Sequence, residues 1–345
     1  MNWTMQAPYI EVTAQCNLSC KHCYNKASPY RPEYITREII LKCLDFFAEN
    51  NVSTVSISGG EPFLHPNIKQ VLIDAYDRKL KTLVATNGTL LTNRVINEIK
   101  EYVDYFQISI DGSPEKHDLL RGAGSYEAAI QGVHLLCAQG LQKRTRFRMT
   151  ISNKNIDSIV YVVEKAVQLG LEAVQFSTIR KQGRAEKYYE DNFQMNSEQL
   201  LFAYNLVCKL KQEYQGIIDI GRLTVDGGEC TLLRDDIVLR PRIDSKGDIY
   251  PCEGFLDPDY KLGSVSEDLC EVFSDDRVST CRSRLMQIQS RASVCKRCFW
   301  KNFICFGGCP AEALIANNQN GTDGLCEIRE SIWRNRIRSR LENHE

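Results

Sequence analysis

The chain has 345 residues, of which 43 are Lys or Arg and 44 are Asp or Glu, so its formal net charge is −1. This balance argues against a general electrostatic affinity for nucleic acid or for an anionic membrane surface. No apolar run approaches the roughly 18 residues that a membrane span needs, and no signal peptide is evident at the N-terminus, which predicts a cytoplasmic protein.

Fifteen cysteines are many for a chain of this length. Without a signal peptide, ligation of a metal or cluster is a better interpretation than a disulfide framework. Three cysteines fall within the first 23 residues and nine come after residue 229. The other three, Cys43, Cys137 and Cys208, lie in apolar stripes of predicted helices, and we expect them in the core as small hydrophobic residues.

From about residue 8 to residue 178, short strand-like segments alternate with longer segments of helical period. Strands are predicted at 9–12, 54–58, 81–86, 105–110, 146–151 and 173–178. Helices are predicted from about residue 36 and at 67–78, 93–102, 126–138 and 156–169. Six β/α units with right-handed crossovers imply a parallel sheet with helices outside it. Six units are too few for an eight-fold barrel, so we predict an open, partial barrel with its site at the carboxyl ends of the strands.

The character of the sequence changes after a predicted helix at 197–214. Segments become shorter, cysteines become frequent, and the pairs Gly227-Gly228 and Gly307-Gly308 interrupt any long element. We therefore predict two domains, at 1–215 and 216–345. A last amphipathic helix is predicted at 327–341, where arginines alternate with an apolar stripe.

Cys16, Cys20 and Cys23 form a C-x3-C-x2-C group directly after the first predicted strand. A [4Fe–4S] cluster normally takes four thiolates, so three can bind a cluster and leave one iron open. The alternatives are a zinc site, although zinc usually takes four ligands in paired groups, or a chance group of buried thiols. The group resembles the signature of the radical S-adenosylmethionine (SAM) enzymes. The resemblance implies that SAM binds the open iron and is cleaved reductively to a 5′-deoxyadenosyl radical, which abstracts hydrogen from a substrate.

Gly59, Gly60, Glu61 and Pro62 directly follow the second predicted strand. Two glycines allow the backbone to approach a ligand closely, and a proline fixes the exit from the turn. A simple strand-to-helix turn is the alternative interpretation. In the resembled family this motif hydrogen-bonds the amino group of SAM.

Polar residues also follow the third and fourth predicted strands. The resemblance places Thr86 and Asn87 at the rim of the SAM site, together with Ser109 and Asp111. It implies that the Ser109 hydroxyl binds the ribose and that Arg121 binds the SAM carboxylate. A planar guanidinium suits this role because it can donate two parallel hydrogen bonds.

Further contacts with the adenine of SAM follow from the same resemblance. His22 stands where the family carries an aromatic residue against the adenine, so we expect stacking rather than metal ligation. Phe176 to Ile179, at the end of the sixth predicted strand, are expected to line the adenine pocket. Gly183-Arg184-Ala185 resembles a Gly-Arg-Ala stretch common in this subfamily.

The C-terminal cysteines resemble the SPASM extension of radical SAM enzymes, which carries two auxiliary Fe–S clusters. Six residues separate Cys298 from Cys305, where the usual pattern has five. The resemblance implies one auxiliary cluster on Cys230, Cys252 and Cys309, and a second on Cys295, Cys298, Cys305 and Cys326. The first set is one ligand short, and Cys270, Cys281 or an open site could complete it. A zinc ribbon over residues 295–309 is the alternative to the second cluster.

The predicted fold is α/β: a partial (β/α)6 radical SAM barrel followed by a small cysteine-rich α+β SPASM domain. The implied cofactors are a [4Fe–4S] cluster that binds SAM and two auxiliary Fe–S clusters. Many SPASM enzymes modify ribosomally made peptides, by cross-linking, thioether formation or epimerisation, and this is the first functional hypothesis. The second is a small-molecule enzyme that acts on a sugar, an aminocyclitol or a haem precursor. An Fe–S scaffold or redox sensor is a third class, but such a protein needs no SAM site.

Only 15 residues precede Cys16, which leaves no room for a leader-binding domain ahead of it, so a separate leader-peptide-binding protein is one expected partner. The resemblance also implies reduction by a flavodoxin or a ferredoxin. Neither nucleic acid nor a membrane is expected as a partner. The sequence names no catalytic acid, base or hydrogen donor.

Overall fold

A computed structural model describes residues 3–223, 225, 230–290, 292–301, 305, 307–316 and 322–342. The predicted break at Gly227-Gly228 lies outside these residues. The described strands are β1 (Trp3–Met5), β2 (Tyr9–Thr13), β3 (Thr54–Gly59), β4 (Lys81–Thr86), β5 (Tyr105–Ser109), β6 (Thr145–Ile151), β7 (Ala173–Thr178), β8 (Asp219–Ile220), β9 (Ile237–Leu239), β10 (Arg242–Ile243), β11 (Asp248–Tyr250) and β12 (Gly263–Ser264).

The described α-helices cover most of the remaining chain. They are α1 (Arg37–Glu49), α2 (Ile68–Asp77), α3 (Asn93–Ile99), α4 (Pro114–Arg121), α5 (Ser125–Ala138), α6 (Ile159–Gln168), α7 (Ser197–Glu213), α8 (Leu269–Val272), α9 (Asp275–Ser290), α10 (Pro310–Ile315) and α11 (Cys326–Glu342). Short 3-10 or π turns lie at Pro62–Leu64, Gln142–Arg144, Ile156–Ser158, Ala185–Tyr188, Tyr189–Phe193, Pro258–Tyr260 and Ser293–Arg297.

The central sheet has the order β12-β11-β10-β2-β3-β4-β5-β6-β7-β8. The run from β2 to β8 is parallel, and β2 to β7 correspond to the six predicted strands. The α/β prediction of a partial barrel is therefore confirmed. Such strands are buried on both faces, and their apolar residues form one core with the inner faces of the helices.

The sheet continues into the C-terminal part of the chain. β10 pairs with β2 in parallel, with Arg242 opposite Tyr9, and β11 and β12 extend the edge in antiparallel pairing. A second, two-stranded parallel pair joins β1 to β9. Backbone pairing thus crosses the predicted boundary between 1–215 and 216–345, and the division into two domains stays a prediction.

Two features of the helices differ from expectation. The prediction of a core position for Cys208 is wrong because the residue lies on the exposed face of α7, whereas Cys43 is buried and Cys137 is half-buried. Helix α4 was not predicted because its sequence is mostly polar and buries only His117 and Leu120.

No helix in the described part of the chain is long and apolar enough to cross a membrane.

A buried ion pair joins the first strand of the barrel to the C-terminal part of the sheet. The Arg242 guanidinium donates two hydrogen bonds of 2.9 Å to the Glu11 carboxylate, and both side chains are 3% exposed. A third bond runs to the carbonyl of Phe255, and the Tyr24 hydroxyl donates to Glu11 at 3.2 Å. Bidentate geometry and these extra partners meet the hydrogen-bonding needs of the two buried charges.

Replacing one member of this pair should destabilise the fold strongly. Arg242→Met leaves the Glu11 carboxylate buried without its partner, so the free energy of unfolding should fall by about 3–5 kcal/mol. Arg94→Met is the control, because Arg94 pairs with Glu98 on an exposed helix face and should cost less than about 0.5 kcal/mol. Denaturant unfolding followed by circular dichroism tests this, and similar losses in the two variants would contradict it.

Candidate active site

The loop that carries Cys16, Cys20 and Cys23 leaves the carboxyl end of β2, where the parallel-sheet rule places a site. Cys16 and Cys20 are buried and Cys23 is half-buried. Burial raises the pKa of Cys16 to about 12 and also raises the pKa of Cys20 and of Cys23. The other two thiols are close enough to Cys16 for their charges to add to its rise.

N–H groups point at two of the three sulfur atoms. The Leu18 amide and the Asn87 Nδ2 donate to Cys16 Sγ at 3.4 and 3.8 Å, and Arg121 Nη1 lies 4.0 Å from Cys20 Sγ. Hydrogen bonds to the sulfur atoms are one way in which proteins stabilise Fe–S clusters. The donor set therefore fits a cluster, although no group of three His, Cys, Asp or Glu side chains in the described ranges is arranged to hold a single metal ion.

Gly59 and Gly60 lie against the backbone of the residues just before Cys16. A Cβ at Gly60 would lie 2.1 Å from the carbonyl oxygen of Gln15, and Gly59 has a φ of +136°. The Gly60 amide donates to Thr13 at 2.7 Å and the Glu61 amide donates to Gln15 at 2.8 Å. The two glycines therefore bring the end of β3 against the residues just before Cys16, while the expected ligand contact stays a prediction.

The Glu61 carboxylate connects this motif to the end of β4. It accepts from the Thr86 hydroxyl at 2.7 Å, from the Asn87 amide at 2.8 Å and from the Phe63 amide at 3.3 Å. Burial raises the pKa of Glu61 to about 7, because it outweighs these hydrogen bonds, which lower the pKa. Pro62 starts the following turn and is buried. Glu61 thus fixes the turn in which Asn87 reaches toward Cys16.

Asp111 is the centre of a buried charged group. Its Oδ2 accepts from Arg121 Nε at 2.6 Å and lies 3.2 Å from His22 Nε2, while its Oδ1 accepts from the Thr150 amide at 2.9 Å. Burial alone would raise the pKa of Asp111, but Arg121 and His22 outweigh it and hold this pKa well below its usual range. The carboxylate positions the guanidinium next to Cys20.

The other predicted SAM contacts lie around this group. His22 Nδ1 is buried and has no hydrogen-bond partner within the described residues. Ser109 ends β5 opposite Arg148, and Ile179 is buried in a small apolar cluster with Leu120. The structure brings these residues to one end of the sheet, and their contacts with SAM stay predictions.

Arg184 is a site residue whose role the sequence did not reveal. Its Nε donates to the carbonyl of Cys20 at 2.8 Å, its Nη2 to Ala27 at 2.7 Å and its Nη1 to Lys26 at 3.4 Å. Gly183 precedes it with a φ of +65°, and a Cβ there would lie 2.1 Å from the carbonyl oxygen of Tyr24. The Gly-Arg-Ala stretch was the available signal, and in the structure it fixes the shape of the cysteine loop.

Removing this guanidinium should weaken cluster retention in the loop. Arg184→Gln loses three side-chain hydrogen bonds, so iron should fall from about twelve toward about eight atoms per chain if three four-iron clusters bind, and 5′-deoxyadenosine release should fall with it. Arg146→Gln is the control, because Arg146 pairs with Glu172 near the start of β6. Iron analysis after anaerobic reconstitution tests this. Full iron in Arg184→Gln would contradict the assigned role.

The predicted ligand sets among the C-terminal cysteines can be compared with which thiols lie near one another. Burial raises the pKa of Cys252 to about 12, and the nearby Cys309 and Cys230 thiols add to the rise. In the second set, burial raises the pKa of Cys326, and the nearby Cys295 and Cys305 thiols add to the rise. These neighbourhoods agree with the predicted sets but leave the ligands as predictions, and Cys298, in the second set, is exposed.

A cation lies beside the first of these sets. Arg180, just beyond β7, donates from Nε to Glu312 at 2.6 Å. A Cβ at Gly254 would lie 3.4 Å from Cys252 Sγ and 3.5 Å from Arg180 Nη1, so the guanidinium and this thiol are near neighbours. The carboxyl end of the barrel thus meets the C-terminal cysteines at Arg180.

A cavity of about 600 Å³ opens where the two parts of the chain meet. Tyr24 and Asn25, directly after Cys23, line one side, and Arg242 and Leu314 belong to the C-terminal side. This volume is within the range of small-molecule and cofactor sites. The cavity therefore lies beside the residues that directly follow the cysteine loop and is closed in part by the C-terminal region.

Comparisons with known proteins agree with this arrangement. The family described as the Radical SAM superfamily matches residues 10–166. The antilisterial bacteriocin subtilosin biosynthesis protein AlbA of Bacillus subtilis is 27% identical over 89% of this chain and 68% of its own length. Fe-coproporphyrin III synthase of Methanosarcina barkeri is 25% identical over 89% of this chain and 84% of its own length.

A solved structure shares the fold over almost the whole chain. Native anSMEcpe with bound AdoMet and Cp18Cys peptide matches with a TM-score of 0.75 and 15% identity, covering 99% of this chain and 98% of that chain. The cysteine loop, the strand order and the family match agree with one another. Residues 10–166 belong to the Radical SAM superfamily, and the similarity along most of the chain supports a radical SAM enzyme with a SPASM-like C-terminal region.

Proposed function

We propose that this chain cleaves SAM reductively and abstracts hydrogen from a ribosomally made peptide that it modifies. The observation that supports this best is the cavity of about 600 Å³ next to Cys23, which the C-terminal region helps to close. A substrate there would lie between the cysteine loop and the first C-terminal cysteine set. AlbA, a bacteriocin biosynthesis protein, is similar to this chain over most of its length.

In this proposal the loop cysteines hold a [4Fe–4S] cluster, which together with SAM supplies the 5′-deoxyadenosyl radical. Arg121 binds the SAM carboxylate, and Asp111 holds its guanidinium in place through the 2.6 Å bond to Nε. Because that bond uses Nε, Nη1 can lie toward the cysteine loop, 4.0 Å from Cys20 Sγ. The turn braced by Glu61 would bind the SAM amino group, and the buried His22 ring would stack on the adenine.

The C-terminal cysteines are proposed to hold two auxiliary clusters. One set borders Arg180 and the cavity side of the barrel, where a cluster could accept an electron from a substrate radical. By resemblance to the family, a flavodoxin or ferredoxin is the proposed electron donor, and a separate protein is proposed to present the peptide leader. The division at residues 215 and 216 into a barrel domain and a SPASM domain belongs to the same proposal.

A haem precursor is the second candidate substrate, since Fe-coproporphyrin III synthase is also similar to this chain. The described lining of the cavity includes no His, Cys or Met that could ligate a porphyrin iron. A haem precursor carries several negatively charged propionates, which would favour a cationic cavity wall. Here the cationic side chains alternate with carboxylates such as Glu186 and Asp257. These features favour a peptide.

Anaerobic reconstitution followed by a SAM cleavage assay with dithionite tests the proposal. The wild-type protein should release 5′-deoxyadenosine, and the Cys16/Cys20/Cys23→Ala variant should release none because it lacks the loop ligands. Candidate peptides encoded near the gene should then change mass in the presence of the wild-type protein. Cleavage that persists in the triple variant would place the active site elsewhere. A mass change in a porphyrin but in no peptide would favour the second candidate.

Asp111→Asn should weaken SAM binding, because the Arg121 guanidinium loses the charge that positions it. Hydrogen bonds to charged groups contribute about 1.5–3 kcal/mol, so the SAM dissociation constant should rise about 10- to 100-fold. Asp104→Asn is the control, since its carboxylate accepts from the Thr82 amide at the opposite end of the sheet. Equilibrium dialysis with labelled SAM measures both variants. Equal affinity in Asp111→Asn and wild type would contradict the role.

A further inference from the structure

Fifteen cysteines exceed the number that the predicted clusters use. The loop group takes three and the C-terminal sets take three and four. Five thiols remain unassigned, while the first C-terminal set lacks the fourth ligand that a cubane cluster normally has. The unassigned residues are Cys43, Cys137, Cys208, Cys270 and Cys281.

Four of these five thiols are poorly placed to be the missing ligand of the first C-terminal set. Cys43 is buried on α1 within the core that packs against the barrel, and the Cys137 thiol donates to the carbonyl of Leu169 at 3.8 Å, at the far end of α5. Cys208 is exposed on α7, and Cys270 is exposed on α8. Neither exposed thiol packs against the apolar core as the half-buried Cys252 does.

Cys281 differs because α9 carries it against the segments that bear Cys230 and Cys252. The neighbouring Arg282 donates from Nη2 to the carbonyls of Leu233 and Arg234 at 3.2 and 3.0 Å, just beyond Cys230. Arg284 donates to the carbonyl of Asp259 at 2.9 Å, in the segment after Cys252. The helix is therefore fixed to both segments by its own side chains.

The Cys281 thiol lies in the space between these two segments. It borders a cavity of about 10 Å³ together with Leu232, two residues after Cys230, and Pro251, the residue before Cys252. The pKa of Cys281 is raised to about 11, chiefly by burial, and the Cys230 thiol is close enough to add to the rise. Cys281 is thus a buried neighbour of the first C-terminal set.

The small cavity beside Cys281 is poorly suited to a bound water molecule. Apart from Arg282, the other residues around it are apolar, and its volume is at the lower limit for a single water molecule. Water at an iron would need polar partners that these side chains do not offer. A protein thiolate from α9 could occupy this position instead.

We propose that Cys281 is the fourth ligand of the first auxiliary cluster, with Cys230, Cys252 and Cys309 as the other three. This inference rests on the proposed function, since it requires that the auxiliary cluster forms. Cys281 would lose its thiol proton to solvent on cluster assembly, and the thiolate would bind the remaining iron. The cluster is then closed, so it can pass electrons but offers no iron for a substrate to bind.

The test uses the full-length Cys16/Cys20/Cys23→Ala variant, in which only the auxiliary clusters remain. This parent should contain about eight irons per chain, and adding cyanide should leave the EPR spectrum of its reduced clusters unchanged, because no iron is open. Adding Cys281→Ser should open one iron. Cyanide should then shift the EPR spectrum, and mild oxidation should produce a three-iron cluster signal.

Two controls separate ligation from other effects of the substitution. Cys43→Ser removes another buried thiol, and Cys270→Ser removes the other candidate ligand; neither should produce the cyanide shift or the three-iron signal. Cys281→Ala serves as a second variant if the serine hydroxyl disturbs the core, and circular dichroism verifies that each variant is folded.

Each contrary result has a separate meaning. A cyanide shift already in the parent would overturn the proposal without any change at Cys281, because it would reveal an open iron. Unchanged spectra in folded Cys281→Ser and Cys281→Ala, or a three-iron signal from Cys270→Ser, would also overturn it. A parent without iron would instead refute the auxiliary clusters themselves, and with them that part of the proposed function.

Discussion

Hydrogen bonds from separate parts of the barrel determine the shape of the cysteine loop, which has no regular secondary structure of its own. The amides of Gly60 and Glu61 bond to its first residues, and Arg184 bonds to its later carbonyls. An irregular segment of this kind can position ligands only if such partners hold it. The cysteine positions therefore depend on the ends of β3 and β7 as much as on their own spacing.

A buried ion pair joins the C-terminal region to the barrel. The Glu11–Arg242 pair links β2 to β10, and the sheet continues through β11 and β12. Arg180 provides a second junction, because it reaches from the end of β7 to Glu312 on α10. Residues from both parts of the chain, such as Tyr24 after the cysteine loop and Leu314 on α10, thus line one cavity.

The sequence predicts much of this arrangement because its signals are local. Short β-branched segments mark the six strands, and the spacing of Cys16, Cys20 and Cys23 indicates the cluster loop. The pairing of β10 with β2, the Asp111–His22 contact and the Arg184 hydrogen bonds depend on residues far apart in the chain, so no local pattern reveals them. Cys208 was predicted in the core from helical period alone, but it is exposed. Helical period therefore did not determine which thiol faces solvent.

Anomalous diffraction from anaerobically grown crystals, recorded at the iron edge, tests most directly whether both ends of the chain build one reaction site. The account predicts three iron clusters, one on Cys16, Cys20 and Cys23 and another on Cys230, Cys252 and Cys309, on opposite sides of the cavity that Tyr24 lines. A zinc signal in place of iron at the C-terminal cysteines, or the absence of iron at the loop, would contradict it.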